Sequence, residues 1–431
     1  MCFRSIAGSG PAAAGVTLLL ALDIQFLYAS HFARQEILLV LIFLLSLYLY
    51  LRGRAGNGEK WFRWSALTIG LGIGIHPNSF LIALPVGGFL LLDLFATGRS
   101  GPQLRPGLRR LGEYLLILSL CAVGFIALSY LMDPRFLQHY TAFGDTVGVS
   151  EPLYMKFFTF PDFYEKIFRR ISGTYYTPEI RFQFYLFGGI LLLTPLWMIF
   201  RPRLRMPAGR LLFGIFMINL GTLVLGKYSQ PSIILHFPLY YLLLGEILTD
   251  MGSLKQNPLP RAMPIVLAVL LTIQGINTGF NLAEVIGPQG SSSRENYNEY
   301  TGHIAEYIPP DARVLANLNA EYYFDFGVLR DYRNLAYLRQ NRMSFAGYIK
   351  KNRIEYIIYP EEMDVIHARR PVWNILYGNV TAYYREMRSF LADNCEEIGT
   401  FSSPVYAMRI TRYSGQKDWA VKVYRVREQQ D

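Results

Sequence analysis

The sequence predicts a polytopic α-helical membrane protein of about nine spans with a C-terminal extracytoplasmic α/β domain. Three observations carry this reading. The composition is apolar, with 52% hydrophobic, 15% aromatic and only 17% charged residues, against about 25% charged in ordinary soluble domains; the mean hydropathy is +0.21. The net charge of +10 lies wholly in residues 1–282, which hold 23 Lys/Arg against 13 Asp/Glu, whereas residues 283–431 hold 19 of each. Finally, residues 1–282 contain a series of apolar runs of span length, and residues 283–431 do not. A basic excess confined to the apolar part reads as membrane topology rather than nucleic-acid binding. The two parts are therefore read as a transmembrane domain, 1–282, with a long extracytoplasmic loop at 132–183, and a soluble domain, 283–431.

A bilayer core about 30 Å thick needs roughly 20 apolar residues per helix. Candidate spans lie near 11–30, 36–51, 64–76, 79–96, 112–131, 184–200, 211–226, 232–250 and 263–282. The third and fourth form one apolar run interrupted at His76-Pro77-Asn78. Proline disfavours helix at the residue before it, and a single helix of that length would be about 50 Å long, so two spans are preferred to one kinked helix. Arg4 and the apolar stretch after it read as a retained span rather than a cleaved signal.

Orientation follows from the loops. With residue 1 cytoplasmic, the inside loops 52–63, 97–111, 201–210 and 251–262 carry 14 basic residues and one acid, Glu59. The short outside connections 31–35, 76–78 and 227–231 carry only Arg34 and Lys227 as Lys/Arg, and the loop 132–183 has six basic and six acidic residues. This obeys the positive-inside rule. An odd number of spans places the tail outside, in the periplasm of a cell inner or plasma membrane. In the tail, the Gly/Ser-rich stretch 287–293 reads as a linker. Strand patterns follow at 312–316, 354–359, 404–411 and 419–426, with helical patterns near 294–308, 343–352 and 376–392. Alternating elements of this kind predict a small α/β domain.

Charged and polar groups at the outside ends of the spans are the candidates for chemistry, because charges at membrane depth are costly. Between the first two spans, His31, Arg34 and Glu36 cluster; the guanidinium can hold a lipid phosphate or pair with its neighbour. His76 can hydrogen-bond a substrate or cap a helix. Lys227, with Tyr228 and His236, forms a third outside group, and its ammonium can ligate phosphate or snorkel to the interface. Loop 132–183 holds Asp133, a run of aromatics from Phe157 to Tyr164, and the cations Lys166, Arg169 and Arg170. Apolar and basic residues at helical spacing predict a helix lying in the membrane interface. The three cysteines, Cys2, Cys121 and Cys395, are far apart and support neither a zinc site nor a disulfide framework. No phosphate-cradling glycine loop, nucleophile elbow or HExxH motif occurs.

Ala21-Leu22-Asp23 through Ser30-His31-Phe32-Ala33-Arg34-Gln35-Glu36, the glycine-rich span ending at His76-Pro77, Leu84-Pro85, Phe237-Pro238-Leu239-Tyr240-Tyr241 and Ile308-Pro309-Pro310-Asp311-Ala312-Arg313-Val314 together resemble the polyprenyl-phosphate-dependent glycosyltransferases of the GT-C superfamily. These are relatives of the protein O-mannosyltransferases and of the transferase that adds aminoarabinose to lipid A. The resemblance implies transfer of a sugar from a polyprenyl-phosphate carrier to an acceptor glycan, lipid or protein at the outer face of the membrane. It implies inverting chemistry with an acidic residue as base. Arg34, Lys166, Arg169, Arg170 and Lys227 would neutralise the leaving phosphate, and His31, Glu36 and His76 would shape the sugar pocket. The family's long first outside loop with its acidic residue has no match here, so the chain reads as lacking an N-terminal part. Asp133, directly after a span, is the best substitute base, and the expectation is carrier binding without turnover. No cofactor is predicted, no metal is indicated, and nucleic acid is not a partner. The rival readings are a transporter or flippase for a lipid-linked saccharide and an inactive scaffold.

Overall fold

In the computed structural model of the chain, the residues described are 10–31, 35–97, 104–138, 140–141, 149–168, 180–225, 230–252, 262–286, 295–338, 341–369, 371–410 and 417–427. Contacts divide the chain into two units, one ending at Leu282 and one running from Ala283 to Asp431.

The first apolar run is not one helix. It forms α1 (Gly10–Ala21) and α2 (Ile24–His31), broken at Leu22-Asp23. The cause is local chemistry. The Asp23 carboxylate accepts from the backbone N–H of Gln25 (2.9 Å) and of Phe26 (3.2 Å), the capping pattern by which a short acid starts a helix. The single span expected at 11–30 is therefore corrected to two segments. After α3 (Gln35–Arg52), the run near 64–96 is also divided, into α4 (Lys60–Ile73) and α5 (Ser79–Thr97). In the turn between them, His76 Nδ1 accepts from Asn78 N (3.0 Å), so the two-helix reading describes this run and the kinked helix does not. The unit continues with α6 (Leu104–Met132), α7 (Leu153–Phe168), α8 (Arg181–Phe200), α9 (Arg205–Leu225), α10 (Phe237–Gly252) and α11 (Ala262–Ile286). A 3₁₀ turn, Gln230–Leu235, precedes α10, so the stretch expected as one helix over 232–250 changes its winding at His236. Pro238, which has no N–H, sits where the first turn of α10 needs none.

Among the described residues, six segments are long and apolar enough to cross a membrane: Gln35–Gly56, Leu104–Met132, Arg181–Phe200, Pro202–Leu225, Ser232–Met251 and Ala262–Phe280. Gly10–Ala21 and Ser79–Phe95 are shorter apolar helices. The fold is that of a mostly helical chain with several helices of membrane-spanning length and apolarity. Its helices pack closely through small residues, as membrane helices do. A Cβ on Gly70 would lie 2.6 Å from Cys121 Sγ, and one on Gly74 would lie 2.2 Å from the Phe125 ring, so α4 and α6 approach only because both positions are glycine. Ser46 and Ser65 hydroxyls bond across α3 and α4 at 2.7 Å. Ionic pairs join helix ends. Asp93 receives Tyr50 Oη (2.5 Å) and Arg210 Nη2 (2.7 Å), Glu113 pairs with Arg63 (2.8 Å), and Asp250 pairs with Arg201 (3.3 Å) and with Trp197 Nε1 (2.9 Å).

The second unit holds a five-stranded sheet in the order β2-β1-β3-β5-β4, built from β1 (Val314–Ala316), β2 (Leu329–Asp331), β3 (Tyr356–Pro360), β4 (Cys395–Ser403) and β5 (Trp419–Val426). β1 runs parallel to β2 and β3, with Val314 opposite Leu329 and Tyr356; β5 is antiparallel to β3 and β4. Alternate residues feed two cores. Ile357 and Tyr359 pack with α13 (Phe345–Asn352) and α15 (Val380–Asn394) through Phe345, Ile349, Tyr383 and Met387. Ile358, Val421 and Val423 pack with α12 (Tyr297–Ala305) through Tyr300 and Ile304. The helices near 294–308, 343–352 and 376–392 and the last strand fall close to their sequence positions. The strand expected at 404–411 does not form; the strand is β4, one segment earlier. Strand β2 and helix α14 (Glu362–Arg369) are additions.

Candidate functional site

Membrane-embedded polar side chains are the natural place to look for function, because apolar surroundings make them costly unless they are used. Asp23 is 1% exposed. Besides its two capping bonds, it accepts a 2.7 Å bond from Tyr241 Oη on α10. Gln25 and Gln183 are equally buried. The Gln183 amide lies against the Asp23 carboxylate, and Gln183 Oε1 and Gln25 Oε1 have no hydrogen-bond partner. His236, also 1% exposed, stands at the junction of the 3₁₀ turn and α10. Its Nε2 meets Thr222 Oγ1 at 3.3 Å, and its ring stands against the Ile233 backbone.

Gln183 and His236 open onto one cavity of about 240 Å³, whose other walls include Tyr164, Phe184, Phe187 and Tyr240. Phe187 and Tyr240 stack at 4.5 Å between ring centroids, and Tyr164 Oη bonds Asn219 Oδ1. The elements converge for simple reasons. The break at Asp23 lets its carboxylate reach α10, while the 3₁₀ turn at 230–235 packs against α2 and α3. Asn78, in the turn between α4 and α5, ties that 3₁₀ turn down through Ser232 Oγ (3.0 Å). The result is a ring-lined cavity with buried hydrogen-bonding groups left over and a carboxylate behind one of them. No cationic side chain lines it among the described residues.

The residues singled out from sequence are distributed differently. Arg34, Arg169, Arg170 and Lys227 lie outside the described residues, as do the side chains of His31, at the end of α2, and Lys166, in α7. Glu36 is buried in the first turn of α3. His76 is half-buried in the turn that Asn78 ties to Ser232. Asp133 follows α6 and uses one carboxylate oxygen to accept from Arg135 N (2.9 Å). Of the loop's other cations, Lys156 is buried and donates to the Val149 (2.5 Å) and Val224 (2.7 Å) carbonyls. Helix α7 occupies the stretch expected to lie in the interface and exposes Leu153, Tyr154, Phe157 and Phe158.

Three cavity-region residues carried no assigned role in the sequence reading: Asp23, Gln183 and Tyr241. The signal that finds Asp23 is an acid in the middle of an apolar run, the same argument applied above to span ends. The chain matches no family model and no curated protein. The groups that could hold a metal, clusters of three or more His, Cys, Asp or Glu, do not occur among the described residues.

A second polar cluster lies in the C-terminal unit, at the carboxyl ends of the parallel strands. Asn317 follows β1, Asp331 ends β2 and Glu362 follows β3. Strand β1 lies between β2 and β3, which makes this the switch point where open α/β sheets bind ligands. Here the crevice is filled by Arg409. Its guanidinium donates to Asn317 Oδ1 (2.7 Å), the Leu376 carbonyl (2.7 Å) and Asp331, while Arg409 N and Ile410 N donate to Glu362 at 2.7 and 2.8 Å. Tyr377 Oη donates to Glu362 at 2.5 Å. Burial holds the Glu362 carboxyl above its ordinary value. The same strap explains why 404–411 is no strand: its backbone donors at 409 and 410 are taken by Glu362.

Proposed function

We propose that the chain is a membrane glycosyltransferase that moves a sugar from a polyprenyl-phosphate carrier to an acceptor at the outer face of the membrane. The observation that carries the reading is the Asp23 carboxylate, held by Tyr241 and backed against Gln183 on an aromatic-lined cavity inside the membrane unit. A carboxylate within hydrogen-bond reach of an acceptor hydroxyl can take its proton; Asp23 lies behind Gln183 and not in the cavity wall, so this step requires Gln183 to swing aside. The acceptor oxygen then bonds to the sugar's anomeric carbon as the carbon–oxygen bond to phosphate breaks, and the polyprenyl phosphate leaves. Asp23 thus takes the part for which Asp133 is the sequence candidate. Arg34, Lys166, Arg169, Arg170 and Lys227 remain the proposed phosphate ligands, with His31, Glu36 and His76 near the sugar.

The topology proposed with this function has nine spans, basic loops in the cytoplasm and the C-terminal domain in the periplasm. Its support is that ionic pairs among the described residues join ends assigned to one side: Arg63 with Glu113, Arg210 with Asp93, and Arg201 with Asp250. Cysteines placed at Ser292 and Ser100 in a cysteine-free chain test it, with Ser292 labelled in spheroplasts and Ser100 protected. A second reading, a lipid-linked saccharide transporter, is favoured by one feature. Two interrupted segments, at Asp23 and at His236, meet in the membrane unit, as the broken helices of transporters do.

Vesicles holding the purified chain and a radiolabelled polyprenyl-phosphate sugar separate the two. The transferase reading expects free polyprenyl phosphate and labelled acceptor in equal amounts, lost in Asp23→Asn. Movement of the intact labelled carrier across the bilayer, with its phosphate bond unbroken, would replace it with the transporter reading.

A further inference from the structure

Ionisable side chains inside a span are costly, and those that persist there are paired or used. Three acids of the membrane unit are paired. Asp23 has Tyr241 Oη and the amides of Gln25 and Phe26, Asp93 has Arg210 and Tyr50, and Asp250 has Arg201 and Trp197. Glu246 differs. It lies on α10 within Ser232–Met251, the most thoroughly buried of the six span-length segments, and is itself 9% exposed. Among the described residues, no hydrogen bond or ion pair reaches its carboxyl.

The surroundings of α10 explain why. It packs against α1, α8, α9 and the 3₁₀ turn Gln230–Leu235. Neither α1 nor the turn carries a titratable side chain. Helix α8 offers Arg181 and Tyr185, and α9 offers Arg205 and Arg210. Arg181 donates to the Phe168 carbonyl, Arg205 to the Met198 carbonyl and Arg210 to Asp93, while Tyr185 is 52% exposed. Around Glu246 in sequence, Tyr241 serves Asp23, Asp250 holds Arg201, Tyr240 stacks on Phe187 and His236 meets Thr222. No cation is left to neutralise a Glu246 carboxylate, and no donor to replace its water. A buried acid in that position takes up a proton instead of standing as an ion. Unlike the sealed amide oxygens of Gln25 and Gln183, the Glu246 oxygens are not wholly enclosed, which leaves the proton a way out and back.

We propose that Glu246 is a proton-binding site of the membrane unit, a neutral carboxylic acid that exchanges its proton with water and is open to modification by an apolar carbodiimide. The site is independent of the proposed sugar transfer, which gives Glu246 no part.

The full chain in phosphatidylcholine nanodiscs is treated with dicyclohexylcarbodiimide, and modified carboxyls are located by peptide mass spectrometry. The reagent reads the protonated acid. The carboxyl O–H adds across one carbon–nitrogen double bond, and acyl migration to nitrogen leaves a stable N-acylurea, so the side chain gains the whole reagent and nothing departs. Three donors favour the ionised form of Asp23. Glu246 should therefore be labelled faster than Asp23 by about 10-fold or more, the ratio that one pH unit of proton affinity gives. Labelling of Glu246 should slow as pH is raised, and sodium at constant pH should leave it unchanged. No label on Glu246, labelling of Asp23 at the same rate, or a Glu246 rate indifferent to pH each overturns the proposal. Protection by sodium also overturns it, and makes the group a metal-cation ligand. A second measurement needs no reagent. In weakly buffered solution, the unaltered chain should take up one proton more than Glu246→Gln over the pH range in which labelling changes, and equal uptake overturns the proposal. If that variant fails to fold, the labelling rates of the unaltered chain still decide.

Discussion

Two buried polar clusters in this chain are held together by different means. In the C-terminal unit, Arg409 organises Glu362, Asp331, Asn317 and Tyr377: its guanidinium has three acceptors and Glu362 has three donors, while Asp331 Oδ2 has no hydrogen bond and only the Arg333 guanidinium 3.5 Å away. In the membrane unit no cation takes part: Asp23 is held by Tyr241 and two backbone amides, and Gln183 Oε1 and Gln25 Oε1 are left without a hydrogen bond. A buried polar group without a partner costs about 1–3 kcal/mol. The difference teaches that position at a sheet's switch point does not make a site when the chain fills it.

The largest expected effect breaks the closed cluster. Arg409→Ala leaves buried carboxylates without their cation, a loss of about 3–5 kcal/mol. Hydrogen exchange on the full chain should show the amides of β1 and β3 losing protection while those of α8 and α10 keep theirs. Loss of protection in both units alike would mean that the cluster does not act locally.

A smaller loss of the same sign is expected in the membrane unit. Tyr241→Phe removes the hydroxyl that donates to buried Asp23, and the chain should lose about 1–3 kcal/mol, read as a lower midpoint of thermal unfolding; an unchanged midpoint would mean that this bond does not hold the unit together.

A pH series sharpens the comparison further. The Glu362 carboxyl lies above its ordinary value of 4.5 because burial disfavours its charged form. The folded unit therefore holds this proton more tightly than the unfolded chain does. Its contribution is full below 4.5 and is lost as pH rises through the folded value. Exchange protection of β3 should fall over that rise, and Glu362→Gln should flatten the profile. A profile that stays as steep in the variant would assign the titration to another group.

The smallest effect belongs to the surface. Lys422 pairs with Glu397 at 2.9 Å, and both are exposed. Its hydrogen bond holds Glu397 below the ordinary carboxylate value, but solvent screens such pairs, and Lys422→Ala should change stability by about 0–1 kcal/mol in the same exchange measurement.

Much of the architecture was legible because hydropathy and turn chemistry act locally. The break at His76-Pro77-Asn78, the interface-length helix at 153–168, and the strand at 419–426 all follow from patterns within a few residues. The break at Asp23 was not read, because an isolated acid in an apolar run looks like a tolerated polar residue until its carboxylate is seen capping the next helix. Strand β4 was missed for another reason: Glu396 and Glu397 are exposed edge-strand residues, whose pattern does not alternate cleanly. The strap at 404–410 alternates like a strand but is recruited by Glu362, a partner more than forty residues away. The candidate site was less legible still. His236 was noticed, but Gln183 gains its meaning only from lying against Asp23, a contact between residues far apart in the sequence that no local pattern reports.

The central claim is that sugar transfer depends on the Asp23 carboxylate that Tyr241 holds. It is tested most directly by the release of free polyprenyl phosphate from the labelled donor by the unaltered chain and by Asp23→Asn in the same vesicles. The account predicts release by the unaltered chain that is lost in the variant. Equal release by both would contradict it.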